Sequence, residues 1–165
     1  MIRASFTVPG DPITQGSMKA FARGARAIVT HDKGPALNHW RSRVTLEARR
    51  VWGRQAPLDE PVAVTLVFRL TRPKSHYGTG RNADRLRPSA PALPHTGLDL
   101  DKLARAINDA LTQARIWTDD SRVCTMTTHK TYAGPGEQAG VDVTVEPMSV
   151  PSQRQHDVVR QSLAA

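Results

Sequence analysis

Two pairs of carboxylates, Asp99 with Asp101 and Asp119 with Asp120, stand out in a chain that is otherwise strongly basic. In extended backbone, residues i and i+2 face the same side, so Asp99 and Asp101 can converge on one hard cation such as Mg²⁺. Aspartate is also a favoured N-cap and first-turn residue, so either can equally serve to start a helix. Asp119-Asp120 follows Arg115-Ile116-Trp117-Thr118 in a connection where turn-forming aspartates are common. A helix followed by a reversing strand could return Asp120 towards the carboxylates at the helix start. Carboxylates repel phosphate unless a cation bridges the two, so acids set in basic surroundings fit metal-dependent hydrolysis of a polyanion.

The charge pattern sharpens that reading. The net charge is +8 over 165 residues, unevenly spread. Residues 71–98 carry Arg72, Lys74, Arg81, Arg85 and Arg87 against Asp84 alone, whereas residues 99–120 carry Asp99, Asp101, Asp109, Asp119 and Asp120 against Lys102, Arg105 and Arg115. A basic excess favours phosphate contacts and counterion release. Lys19, Arg23, Arg26, Arg72, Lys74 and Arg81, all on turn-rich stretches, are the candidate phosphate contacts to a nucleic-acid partner. His95, just ahead of the first acidic pair, is either a proton donor near the site or a solvated loop histidine. Cys124 is the sole cysteine, which excludes an internal disulfide and any multi-thiolate zinc site and is expected to fill core. No apolar run approaches the roughly 18 residues of a membrane span, and the start lacks a secretory pattern, so a cytoplasmic protein is expected.

The elements that must position these residues are legible as periods. One domain is expected over residues 1–147, with a C-terminal tail at 148–165 that is either a weak helix or disordered. Residues 4–8 alternate as a strand and stop at Pro9-Gly10-Asp11-Pro12. Residues 13–34 read as a flexible basic loop with a short strand near 27–30. Leu37, Trp40, Val44, Ala48 and Val51 mark a helix from Pro35 to about Trp52. Residues 61–70 form an apolar strand buried on much of both faces. Residues 71–98, dense in Pro, Gly and charge, read as a mobile basic loop over the site. Leu103, Ile107, Leu111 and Ala114 define a helix from Leu100 to Ala114, with Asp101, Arg105 and Asp109 on another face. Strands at 122–132 and 141–146 are expected to pair as a hairpin. The whole is an α+β fold, a mixed sheet with two main helices in the order β-α-β-α-β-β. Trp40, Trp52 and Trp117 are expected in the core or at a subunit contact.

The ordered string Asp99-Leu100-Asp101-Lys102-Leu103, Asp109-Ala110-Leu111-Thr112 and Trp117-Thr118-Asp119-Asp120-Ser121-Arg122-Val123 resembles the core of RusA-type Holliday junction resolvases. In that family an Asp-Leu-Asp-Asn-Leu element opens a helix, an Asp-Ala-Leu element ends it, and an Asp-Asp pair precedes a strand. Phe6-Thr7-Val8-Pro9-Gly10-Asp11-Pro12 and Gln15-Gly16-Ser17-Met18-Lys19 further resemble phage-borne members. The resemblance implies Asp99, Asp101 and Asp120 as ligands of Mg²⁺, with Mn²⁺ as an alternative, Asp109 and Asp119 in support, and a homodimer acting on four-way DNA junctions. Lys102 departs from the family's asparagine. Arg105 replaces a lysine of functional importance in some members, and it has two readings: a catalytic cation, or a helix-surface partner of Asp101 and Asp109. The expected activity is structure-selective, Mg²⁺-dependent endonuclease cleavage in DNA recombination and repair. The competing readings are a branched-DNA binding protein without catalysis and an Asp-x-Asp phosphatase of the haloacid-dehalogenase type, whose motif would end a buried strand rather than follow Pro94-His95-Thr96-Gly97.

Overall fold

The computed structural model of the protein describes residues 4–16, 18–23, 26–31 and 34–148, the second and third of these segments by backbone only. Its strands are β1 (Ala4–Pro9), β2 (Met18–Arg23), β3 (Arg26–His31), β4 (Val62–Leu70), β5 (Val123–Tyr132) and β6 (Gly140–Pro147), and its helices are α1 (Gly34–Trp52) and α2 (Leu100–Ala114). The α+β architecture is the one the periodicities predict, with β2 and β3 as an added antiparallel pair inside the stretch read as a loop. The short strand expected near 27–30 falls within β3. The side chains of Lys19, Arg23 and Arg26, and the tail from residue 149, lie outside the described residues.

Along β4, Val62, Val64, Leu66, Phe68 and Leu70 are buried while Ala63, Thr65, Val67 and Arg69 are half-buried. Successive strand side chains alternate between faces, so one face of the sheet is core and the other remains partly open, not the two-sided burial its composition suggests. The main sheet runs β1-β6-β4-β5, with β6 antiparallel to both β1 and β4 and β5 parallel to β4. The hairpin expected between the last two strands is therefore absent. β4 lies between them, because its row of large apolar residues gains most from neighbours on both sides, and the parallel β4–β5 pair takes α2 as its crossover.

Both helices contribute to one core with the buried row of the sheet. Trp40, Val44, Ala48 and Trp52 of α1 and Leu103, Ile107, Leu111 and Ala114 of α2 follow the three- and four-residue spacing of an apolar stripe. Thr45 Oγ1 donates to the Ala110 carbonyl at 3.1 Å in that interface, so its hydroxyl is satisfied despite burial. All three tryptophans are core residues. Cys124 is exposed, a correction to its expected role: it sits on β5, an edge strand. No helix among the described residues is long and apolar enough to cross a membrane.

The open face of the sheet carries an ion-pair cluster. Arg69 pairs with Asp142 and, at 3.0 Å, with Glu137, and Thr7 Oγ1 donates to Asp142 at 2.7 Å. Burial pushes the Asp142 carboxyl up, but the bonds from Arg69 and Thr7 outweigh it and hold the group below the usual carboxylate range. A carboxylate depressed in the folded state contributes stability above its unfolded pKa of about 3.9 and loses it as pH falls through the folded value. Melting temperatures of the wild type and Asp142→Asn, followed from neutral pH downwards, are therefore expected to differ above about pH 4 and to converge below it. A constant difference at every pH would contradict this assignment.

Candidate metal and phosphodiester site

Asp101 stands in the first turn of α2 and Asp120 opens a short 3-10 turn, Asp120–Arg122, just before β5. Both line a groove between α2 and β5, a space of about 410 Å³ that Arg105, Asn108, Asp109, Met126 and Thr128 also border. The helix contributes residues at three- and four-residue intervals, and β5 contributes every second residue, so each element turns one face into the groove. From Asp101 to Asp109 the helix rises about 12 Å, which makes the site an elongated trough rather than a closed cage.

The route by which Asp120 arrives is set by the end of α2. Arg115 adopts the left-handed conformation, φ 61°, and its N–H bonds back to α2 carbonyls. Glycine usually takes this position. The turn sends Ile116 and Trp117 into the core at 0% and 1% exposure, and the backbone pairs with Leu58 on both sides: Leu58 N–H to the Ile116 carbonyl and Thr118 N–H to the Leu58 carbonyl, each 2.9 Å. Trp117 Nε1 donates to Thr112 Oγ1 at 2.9 Å. Asp119 then accepts the Ser121 backbone N–H at 2.9 Å as the N-cap of the 3-10 turn, and its bonds with Ser121 hold its carboxyl below the ordinary range. Of the pair, Asp119 shapes the turn and Asp120 borders the groove.

Asp99 is the N-cap residue of α2, without a side-chain bond to the helix backbone. Its carboxylate accepts from Lys102 Nζ at 2.6 Å; that hydrogen bond and charge hold the Asp99 carboxyl below the usual range and push the Lys102 ammonium up. Asp99 does not border the groove, and among the described residues no three His, Cys, Asp or Glu side chains are gathered closely enough to enclose a cation. The lining is nevertheless a hard-oxygen set: the carboxylates of Asp101, Asp109 and Asp120 and the amide oxygen of Asn108, which is buried without a hydrogen-bond partner. Such a set suits Mg²⁺, which keeps several waters and is commonly held by one or two carboxylates together with substrate phosphate.

Asp109 does not pair with Arg105 along the helix. Its partner is Arg41 of α1, which also donates to Gln15 Oε1 at 3.0 Å. Burial lowers the Arg41 pKa from its ordinary value. Arg105, exposed and bordering the groove, makes no ion pair among the described residues, so its cation faces the acids and whatever they hold. His95 is exposed, outside the groove, with Nδ1 against the Leu93 carbonyl at 3.2 Å.

Residues 71–98 are tied by their own bonds rather than left as a structureless loop. Gly78 N–H bonds to the Arg85 carbonyl and Arg87 N–H to the His76 carbonyl, both at 2.9 Å, across a Tyr77–Leu86 bridge. Arg72 lies 4.0 Å from the centre of the Tyr132 ring and donates to the Pro91 carbonyl at 2.8 Å, while Lys74 and Arg81 are exposed on short 3-10 turns. Sequence reasoning missed Arg41, Asn108 and Lys130. Lys130 Nζ donates to the Leu98 carbonyl at 2.7 Å and so ties the approach to α2 onto β5. Only the i, i+4 placement of Asn108 behind Ala104 on the acid-bearing side of α2 hinted at one of these.

A comparison with curated proteins found no match. The family model described as Endodeoxyribonuclease RusA matches residues 9–146, a span that contains the groove and every element that forms it, and the chain belongs to this RusA endodeoxyribonuclease family.

Proposed function

We propose that the protein is a Mg²⁺-dependent endonuclease that resolves four-way DNA junctions as a homodimer, in recombination and repair. The observation that carries this reading is the shared placement of Asp101, Asp120 and Arg105 along one groove of a chain in the RusA endodeoxyribonuclease family. Asp101 and Asp120 would hold the cation, Asp99 would join them by releasing Lys102, and Mn²⁺ meets the same oxygen donors. The ion, when bound, supplies a Lewis acid for the scissile phosphate and a water of lowered pKa.

The chain's own residues do the rest. Asp109, held by Arg41, adds a third carboxylate to the groove beside Asp101 and Asp120. Arg105 offers a delocalised cation to a non-bridging phosphate oxygen. Exposed Lys74 and Arg81 supply sequence-independent phosphate contacts. A four-way junction presents two symmetric cleavage points, which a two-fold dimer with two sites would match.

Labelled four-way junction and matched linear duplex, each with Mg²⁺ or EDTA, test the reading. Paired symmetric cuts in the junction alone, lost in EDTA, are expected; junction binding without cutting in Mg²⁺ or Mn²⁺ would replace it with a non-catalytic junction binder. Arg105→Ala is expected to lower turnover about 10- to 100-fold with little change in junction affinity, as for a cation whose contact strengthens in the transition state. Equal losses of affinity and turnover would instead make Arg105 a plain DNA contact.

A further inference from the structure

Beside the acidic groove lies a second cavity, of about 300 Å³, that the cleavage chemistry does not use. Leu70, Pro94, Leu98 and Tyr132 give it apolar walls, and Asp11 and His76 supply polar groups. The Tyr132 ring is held in place: Arg72 packs over it at 4.0 Å, and the His76 ring meets it edge-on at 5.6 Å between centroids. His76 Nδ1 is buried with no hydrogen-bond partner, and the Asp11 carboxylate accepts from Thr71 with further acceptor capacity left. Gly97, at φ 92°, bends the wall so that the chain passes from the cavity directly into Leu98 and Asp99.

The cavity and the groove share one face of β5. Met126 and Thr128 border the groove, Lys130 bonds the Leu98 carbonyl, and Tyr132 lines the cavity. From Thr128 to Tyr132 is about 13 Å of strand. A strand of DNA covers that path with a few nucleotides, each rising about 3.4 Å when stacked.

We propose that this cavity receives one unstacked nucleobase of the strand being cut, a few nucleotides from the scissile phosphate, packed on Tyr132 and read at its edge by His76 and Asp11. The inference rests on the endonuclease reading above. A cavity with one tyrosine ring in its wall and a few convergent polar groups suits a base, and every base has a face that stacks. A carboxylate acceptor favours a base bearing an exocyclic amino group over thymine. Bases at a branch point, where continuous stacking is interrupted, leave the stack at less cost than those inside a continuous duplex.

The test uses the full chain with Mg²⁺ and junctions carrying a single abasic nucleotide at each position around the cut. Wild-type cleavage of the intact junction comes first, since its absence overturns the nuclease reading itself. Given that cleavage, one abasic position is expected to slow it about 10-fold, the scale of one base–aromatic stack. Tyr132→Leu, which keeps apolar volume, is expected to lose a similar factor on the intact junction and nothing further at that abasic position, whereas Tyr132→Phe retains wild-type behaviour. Replacing the base at that position with thymine is expected to slow the wild type but not Asp11→Asn. Wild-type insensitivity to an abasic nucleotide at every position, or independent multiplicative losses from the abasic site and Tyr132→Leu, would overturn the proposal.

Discussion

Asp101→Asn is expected to reduce junction cleavage by about 100- to 1,000-fold while leaving the fold and junction binding intact. The magnitude follows from the loss of several kcal/mol of transition-state stabilisation when a carboxylate that holds the cation becomes a neutral amide, at about 1.4 kcal/mol per tenfold. The fold is expected to survive because Asp101 is exposed in the first turn of α2 and makes no hydrogen bond to the helix backbone or to the core. Its negative charge near the helix N-terminus contributes only about 0.3–1 kcal/mol of stability, too little to unfold the protein. Binding is expected to hold or to strengthen slightly, since a negative charge leaves a surface that meets phosphate. Single-turnover cleavage and junction affinity measured side by side, with circular dichroism of both proteins, check the claim. Retained cleavage in a folded variant would remove Asp101 from the site.

Trp117→Ala has the largest expected effect on stability, about 3–5 kcal/mol, the usual range for deleting a buried aromatic side chain. Trp117 is 1% exposed, and its Nε1 bond to Thr112 ties the C-terminal turn of α2 to the connection that leads to β5. Truncation would leave a cavity in the core and abolish that bond, which would be felt locally as well as globally. The Asp119–Asp120 turn hangs directly from this anchor, so residual folded protein is expected to cleave more slowly than wild type even below its lowered melting temperature. Denaturant unfolding monitored by far-ultraviolet circular dichroism gives the stability loss. A midpoint within about 1 kcal/mol of wild type would mean that the site collapses around the smaller side chain more completely than close-packed cores ordinarily allow.

The reach of local reasoning differs sharply between these two residues. Asp101 was identifiable from Asp-x-Asp at the start of a strongly periodic helix. Its neighbourhood is local, since the same α2 stripe that predicts Leu103, Ile107 and Leu111 as core also places Asp101, Arg105 and Asp109 on the side away from it. Trp117 was expected in the core or at a subunit contact, and the structure puts it in the core. The convergence of Asp120 with Asp101 was not a consequence of spacing. It required the left-handed Arg115, the buried Ile116-Trp117 step and the backbone pairing with Leu58, a residue far away in the chain.

Local periodicity thus determined α1, α2 and the strands of the main sheet, because apolar repeats of about 3.6 and 2.0 residues depend only on which side of each element meets the core, and the residue string itself carried the acids and the family resemblance. Tertiary packing decided what those acids face. The side-chain period does not say which strand lies beside which, so the expected hairpin gave way to β4 inserted between β5 and β6, where its apolar row is covered. The same packing left Cys124 on an exposed edge strand and gave Asp109 to Arg41 instead of Arg105, while the Lys102–Asp99 pair and the bonds within residues 71–98 are local contacts that the apolar periods do not specify. The Arg41–Asp109 pair joins groups from separate elements, a pairing chosen by the burial and charge balance of the whole fold rather than by any single stretch of chain.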